Sequence, residues 1–176
     1  HTFIGFDSDN IPTEEGIERY GRLVKRASEL GVKLALENTE GEEYLFALMD
    51  AFRNNNSVGF CWDSGHEMCY NHHQDMLALY GDKLIATHIN DNLGISNIDG
   101  IIAPTDDLHL LPFDGVADWD GIATRLKKAN YMGDLTFELT VRNKPERNTH
   151  DIYAELDFEA YAALALERAK KFKSMM

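Results

Sequence analysis

The sequence predicts an α/β fold in which parallel strands alternate with helices. First, short apolar runs alternate strictly with stretches whose apolar residues recur every three or four positions, and this alternation is typical of a parallel sheet with right-handed crossovers. Second, four acidic or imidazole residues end four of the apolar runs, with steps of 26, 25 and 50 residues. A strand–helix–strand repeat takes about 25–30 residues, so these steps correspond to one, one and two repeats.

Five strand candidates supply the sheet. They are residues 2–6, 32–37, 58–62, 83–89 and 134–139, each a run of β-branched, aromatic or aliphatic residues. The first is the weakest of the five.

Five helix candidates follow the strands or precede them. They are residues 14–30, 42–53, 73–80, 119–129 and 157–172. Thr13 can cap the first helix, and Gly31 can end it. Asp118 is the candidate cap of the fourth helix.

The stretch 90–116 has a different composition, because it is rich in Asn, Asp, Gly and Pro and has no period. It is predicted to be a long loop, and loops of this length in compact domains are usually functional.

The length of 176 residues predicts one domain over residues 1–176, without an internal linker. A complete eight-stranded β/α barrel needs at least about 200 residues, so the chain is short by about three β/α units. Residues 2–6 resemble the interior of a domain, so we expect the shortage at the N-terminal side. We therefore expect the chain to form the C-terminal part of a barrel, strands 4–8. A homo-oligomer is one way in which the barrel could be completed.

Composition limits the partners. The net charge is −13, from 30 acidic and 17 basic residues, and this disfavours nucleic acid as a partner. Cys61 lies in an apolar run and is interpreted as a small buried hydrophobe. No apolar run approaches the roughly 20 residues of a membrane span, and no signal peptide is visible, so a cytoplasmic protein without membrane contact is expected.

The four residues at the strand ends are Glu37, Asp63, His88 and Glu138. The carboxyl ends of parallel strands converge, and α/β enzymes keep their sites there. Three carboxylates and one imidazole suit Mn²⁺, Mg²⁺, Co²⁺ or Zn²⁺. Each residue alone has a structural explanation, such as a solvated loop glutamate, a helix cap or a core histidine, but four such coincidences at one strand end are less favoured than a metal site.

Several segments together resemble the xylose isomerase-like TIM barrel superfamily, which includes sugar isomerases and epimerases and the AP-endonuclease type. The matching segments are Leu36–Asn38, Trp62–His66, Thr87–Asn92, Asp107–Gly115 with Asp118–Trp119, and Phe137–Glu138. They run along nearly the whole chain and match the fifth to eighth strands of that barrel in order.

The resemblance implies that Glu37, Asp63, His88 and Glu138 bind one divalent metal, and that His66 contacts the substrate or a second metal. Asp107 and His109 match an Asp-x-His motif that binds a further metal in the endonuclease-like branch. The segment Pro112–Gly115 departs from the family's usual Pro-Gly-Glu-Gly loop.

The leading hypothesis is a metal-dependent isomerase or epimerase acting on a sugar or related polyol. Glu37 and Glu138 would remove and return a proton through an enediolate, and His66 would hold a substrate oxygen. Two alternatives stay open: a metal-dependent phosphodiesterase of the AP-endonuclease type, and a truncated member that binds a ligand without turnover.

Overall fold

A parallel sheet with helices packed against it forms the centre of the computed structural model, which describes residues 11–176. The predicted strand at residues 2–6 therefore lies outside the described residues. The strands are β1 (Leu34–Glu37), β2 (Val58–Asp63) and β3 (Leu84–His88). The helices are α1 (Glu14–Leu30), α2 (Glu42–Ala51), α3 (Ser64–Cys69), α4 (Met76–Tyr80), α5 (Trp119–Lys128) and α6 (Phe158–Met175). Short 3-10 turns cover Gly81–Lys83, Pro104–Asp106 and Asp151–Tyr153.

The sheet has the order β1-β2-β3, and both strand pairs are parallel. This confirms the predicted parallel β/α architecture. Strand β2 is buried along its whole length. Phe60 and Trp62 project from it into an apolar core that also contains Leu45, Leu126 and Phe172. Burial of large side chains of this kind supplies most of the stability of a β/α fold.

Capping side chains define the starts of helices α1, α5 and α6 in the structure. The hydroxyl of Thr13 accepts a hydrogen bond from the amide of Gly16 at 3.1 Å, and Gly31 ends α1 with a φ of 67°. Asp118 and Asp157 cap α5 and α6 through their carboxylates. Among the described residues, we find no helix whose length and apolarity suffice for crossing a membrane.

The third predicted helix, residues 73–80, is wrong in its extent. Residues 64–69 form the separate helix α3, whose first amides are capped by the Asp63 carboxylate, and α4 begins only at Met76. His73 has a φ of 59°, and a left-handed residue cannot sit inside a helix. The chain after β2 therefore turns into a helix immediately.

The fifth predicted strand, residues 134–139, is also wrong as a strand. Only one isolated parallel bridge forms, between Ile89 and Phe137. The amide of Thr136 bonds to the side-chain hydroxyl of Thr87 at 3.1 Å, in place of a backbone carbonyl of β3. The segment nevertheless runs beside β3, because the amide of Ile89 donates to the carbonyl of Thr136, and the amide of Glu138 donates to the carbonyl of Ile89.

An irregularity in β3 decides which side chains face the same side of the sheet as Asp63. Leu84 pairs with Phe60, but the next paired residue is Ala86, opposite Cys61, so Ile85 is an extra residue. In a regular strand Thr87 would lie opposite Asp63. With the bulge, His88 lies there instead. Because side chains alternate between the two faces of a strand, the bulge places His88 on the face that carries Asp63.

Candidate metal centre

Four side chains from four chain segments meet at the carboxyl end of the sheet. Glu37 ends β1, Asp63 ends β2, His88 ends β3, and Glu138 lies in the segment beside β3. One ligand atom of each residue lies within 4.8 Å of the others. Glu37 and Asp63 are buried, whereas His88 and Glu138 are partly exposed. The cluster is therefore closed to solvent at Glu37 and Asp63 and open to it at His88 and Glu138.

The ring nitrogen Nδ1 of His88 lies between two carboxylates. It is 2.9 Å from Oε1 of Glu37 and 3.1 Å from Oε2 of Glu138. The shorter of these two contacts, to Glu37, is a hydrogen bond. Hydrogen bonds to Cys61 and to the two glutamates raise the pKa of His88 to about 12.

The Asp63 carboxylate is fully buried and is fixed by amide groups. Its Oδ1 accepts from the amide of His66 at 2.7 Å, and the side-chain amide of Asn90 lies 3.3 Å from both oxygens. The side chain of Asn38 accepts from the backbone amide of Asp63 and donates to its carbonyl, at 2.8 and 2.9 Å. Burial raises the pKa of Asp63 to about 6, although the nearby His66 opposes this shift. These contacts hold the carboxylate in one orientation.

A second group of potential ligands adjoins the first. His66, Asp107 and His109 each place one ligand atom within 4.8 Å of the others. Nε2 of His109 is 2.7 Å from Oδ2 of Asp107, and Nε2 of His66 is 3.7 Å from the same oxygen. The Nδ1 atoms of both rings face backbone carbonyls, those of Asn38 and Glu138, so both rings donate from Nδ1. Their Nε2 atoms therefore face Asp107.

The charges of this second group depend on one another. Burial lowers the pKa of His66, but Asp63 and Asp107 outweigh burial and raise that pKa to about 10. Burial raises the pKa of Asp107, but the hydrogen bonds from His109 and His66 hold it below its usual range. His109 also has a φ of 54°, and a left-handed backbone at a non-glycine residue is a strain that clusters at functional sites.

The long loop after β3 carries Asp107 and His109 and is anchored by Asp91. The Asp91 carboxylate accepts from the amide of Ala117 and from Nε1 of Trp119, both at 3.0 Å. Its backbone pairs with Leu110 through two hydrogen bonds. The predicted long loop is therefore ordered by a buried carboxylate, which fixes the two residues that face His66.

The residues present fit a divalent cation. Oδ1 of Asp107 is buried and has no hydrogen-bond partner in the described part of the chain, and the buried Oε2 of Glu138 has only the contact with Nδ1 of His88. A buried carboxylate oxygen without a partner is costly unless an unseen ion or water satisfies it. Hard oxygen donors with one imidazole match Mn²⁺, Mg²⁺, Co²⁺ or Zn²⁺.

Cys61 is a neighbour of the candidate ligands that the sequence interpretation missed. It is buried, as expected, but its sulfur lies within 4.8 Å of ligand atoms of Glu37 and His88. Burial raises the pKa of this thiol, so it is a protonated neighbour. The signal was available, because Cys61 precedes Asp63 by two residues and strand side chains repeat every two residues.

Comparison with known proteins places this chain in a family. The family model described as xylose isomerase-like TIM barrel matches residues 4–158. The chain belongs to the xylose isomerase-like TIM barrel family. This confirms the resemblance and the barrel fold that the sequence predicted.

One relative and three solved structures illustrate the similarity. The chain is 34% identical over 143 residues to the uncharacterized protein y4fM of Sinorhizobium fredii, covering 78% of this chain and 43% of that protein. A xylose isomerase domain protein from Alicyclobacillus acidocaldarius has a TM-score of 0.66 at 20% identity, covering 97% of this chain and 62% of the other. The IolI protein with a bound zinc atom has a TM-score of 0.59 at 23% identity, with 97% and 57% covered.

The third structure is the 3-keto-D-glucoside 4-epimerase YcjR from E. coli, with a TM-score of 0.60 at 14% identity, covering 97% of this chain and 60% of the epimerase. At these identities the structures share the fold with this chain. The chain spans less than two thirds of the length of the relative and of each structure.

Proposed function

We propose that this chain belongs to a divalent-metal-dependent isomerase or epimerase that acts on a sugar or related polyol. The observation that carries the proposal is the pair of carboxylates, Glu37 and Glu138, on either side of one His88 nitrogen at the carboxyl end of the sheet. A reaction that removes a proton from carbon and returns it needs two such groups near the substrate. The sugar epimerase among the similar structures supports the same class of reaction.

The proposed roles follow from the position of each residue. Glu37, Asp63, His88 and Glu138 would hold the metal, and Asp63 would act only as a ligand because amide groups fix it. When bound, the metal supplies Lewis acidity that polarises a substrate carbonyl and acidifies the adjacent carbon-bound proton. Glu138 is partly exposed and Glu37 is buried, so Glu138 faces the open side from which substrate enters.

Proton transfer is then assigned to the two glutamates. One carboxylate takes the proton from the carbon beside the carbonyl and leaves an enediolate, and the other returns a proton to the neighbouring carbon or to the opposite face. The nearby His88 holds the pKa of Glu138 below its ordinary value, so Glu138 is ionised and ready to accept the proton. His66, buried and proton-bearing, would donate a hydrogen bond to a substrate oxygen.

The test is hydrogen exchange in D2O. The Mn²⁺-loaded protein is incubated with a panel of aldoses, ketoses and keto sugar acids, and NMR follows the loss of the carbon-bound proton. We expect Glu138→Gln to lower the exchange rate by at least about 100-fold, the typical contribution of a general acid–base group. Glu155→Gln, at an exposed glutamate outside the cluster, is the matched control and should leave the rate unchanged. Wild-type exchange in the Glu138→Gln variant would contradict the proposal.

The group of His66, Asp107 and His109 favours a second candidate, a metal-dependent phosphodiesterase of the AP-endonuclease type. Further metals held there would activate water and bind phosphate. The net charge of −13 opposes the approach of a nucleic acid. The number of bound metal ions separates the two candidates: several zinc ions on each chain favour the phosphodiesterase, and a single ion favours the isomerase.

A further inference from the structure

A cavity of about 350 Å³ adjoins the candidate metal centre on the side of Glu138 and has two cationic side chains in its wall. Its wall contains His109 and Glu138, which belong to the two ligand groups, and the loop residues Arg142 and Lys144. The cavity therefore joins the proposed reaction site to two positive side chains on a chain whose net charge is −13.

The two cations of the cavity are incompletely neutralised. Nζ of Lys144 lies 3.7 Å from Oδ2 of Asp107, a carboxylate oxygen already engaged by His109 at 2.7 Å. Within the part of the chain that the structure describes, the Arg142 guanidinium makes no ion pair. A neighbouring cation gives the contrast: Arg147 is 2.8 Å from the buried carboxylate of Asp106 and so anchors the loop. Arg142 and Lys144 have no comparable structural role.

The loop that carries these cations is held in place by its own hydrogen bonds. The side chain of Asn143 donates to Asp151 and accepts from the amide of His150, both at 2.7 Å. The amide of Thr140 donates to the carbonyl of His109, and the hydroxyl of Tyr161 donates to the carbonyl of Thr140. A loop fixed in this way orders its binding groups before a ligand arrives, which reduces the entropy cost of binding.

The charge balance of the cavity favours a monoanion. Arg142 and Lys144 line the cavity together with the carboxylate of Glu138, and Lys144 also lies 3.7 Å from Asp107, so a dianion would meet more repulsion than a single negative charge. The planar guanidinium of arginine also matches a planar carboxylate through two parallel hydrogen bonds. We propose that this cavity binds a carboxylate group of the substrate, so that the substrate class is polyhydroxy acids rather than neutral sugars. The inference rests on the proposed function and specifies its substrate.

Three probes with the same carbon skeleton test this inference by calorimetry on the Mn²⁺-loaded protein. Gluconate carries a carboxylate, sorbitol is the neutral polyol, and sorbitol 6-phosphate carries a dianion. We expect gluconate to bind at least about tenfold tighter than sorbitol, because charge-assisted hydrogen bonds are roughly twice as strong as neutral ones. We also expect gluconate to bind tighter than sorbitol 6-phosphate.

Variants distinguish binding of the carboxylate by the cavity from its direct binding by the metal ion. The double variant Arg142→Gln with Lys144→Gln should lower the affinity for gluconate to that for sorbitol while leaving Mn²⁺ stoichiometry and the circular dichroism spectrum unchanged. Lys170→Gln, an exposed lysine on α6, is the control and should bind gluconate like the wild type.

Three outcomes would overturn the inference: gluconate binding no tighter than sorbitol or not at all, tighter binding of the phosphate, or full gluconate affinity in the double variant. Failure of the proposed function would look different, because it would appear as absent Mn²⁺ binding or absent proton exchange. Loss of charge selectivity with metal binding and exchange intact would refute the carboxylate cavity alone.

Discussion

The Nδ1 atom of His88 illustrates how the candidate centre behaves without metal. Its proton lies between two carboxylates that would otherwise repel each other, and the pKa of His88 is raised to about 12 by Cys61 and the glutamates. The positive charge of the imidazolium thus partly takes the place of a metal cation in neutralising the carboxylates. A metal that binds here must displace that proton, because a ligating imidazole is neutral.

Metal binding should therefore release protons and weaken as the pH falls. His88 is protonated throughout the neutral range in the metal-free chain, and Asp63, with a pKa of about 6, begins to protonate just below it. We expect Mn²⁺ binding at pH 7.5 to release about one proton for each ion, so that affinity rises about tenfold for each pH unit. Calorimetry in two buffers with different ionisation enthalpies measures the proton count.

The control for this titration is Glu155→Gln, whose proton release should equal that of the wild type. Binding without proton release, or an affinity that does not change between pH 6.5 and 7.5, would show that His88 is not a ligand.

At the level of the element, β3 depends on the fit between its bulge and the neighbouring strand. Gly59 on β2 lies against the side chain of Ile85, and a Cβ at position 59 would come within 2.6 Å of two Ile85 carbons. Glycine at this position therefore leaves room for the extra residue of β3. The close contact links the shape of the sheet to the direction in which His88 points.

Substitution at Gly59 should disturb the bulge. We expect Gly59→Ala to lower the free energy of unfolding by about 1–3 kcal/mol, the usual cost of overpacking, and to weaken Mn²⁺ binding. Adding Ile85→Ala removes the colliding atoms and should recover part of both losses. Urea denaturation and metal titration of both single variants and the double variant measure the coupling. Additive effects of the two substitutions would contradict this account.

Across the whole molecule, the four candidate ligands lie far apart in the sequence, between residues 37 and 138. A ligand that binds only the folded state stabilises it, by about 2.7 kcal/mol at a concentration 100 times its Kd. We expect Mn²⁺ to raise the unfolding midpoint and EDTA to lower it again, as measured by circular dichroism during heating. Asp63→Asn should abolish the shift, whereas Glu155→Gln should retain it. A midpoint that does not respond to Mn²⁺ would exclude a site that joins these segments.

Local rules predicted much of the fold, because caps and apolar periodicity act over a few residues. The predicted caps Thr13 and Asp118 cap their helices in the structure. The errors arose where distant contacts decide the structure. Residues 134–139 have the composition of a strand, but the amide of Thr136 donates to the Thr87 hydroxyl instead of to a backbone carbonyl of β3. No local sequence pattern predicts this hydrogen bond.

The part of the candidate site that lies at the strand ends was predictable, because the carboxyl ends of parallel strands converge. The spacing of Glu37, Asp63, His88 and Glu138 led to a cluster that the structure brings within 4.8 Å, although their role as ligands stays a prediction. Cys61 and the supports Asn38 and Asn90 were not predicted, since their importance depends on strand register and on hydrogen bonds across the sheet.

The extra residue Ile85 changes the orientation of all the residues that follow it in β3. Every side chain after Ile85 points to the opposite face from the one that simple alternation would give it. If the same residues paired without the bulge, Thr87 would lie opposite Asp63 and His88 would turn toward the helices, although all four candidate ligands would still be in the sequence. A sequence with every ligand present can therefore lack the centre, and the register of β3 against β2 matters as much as the identity of the ligands.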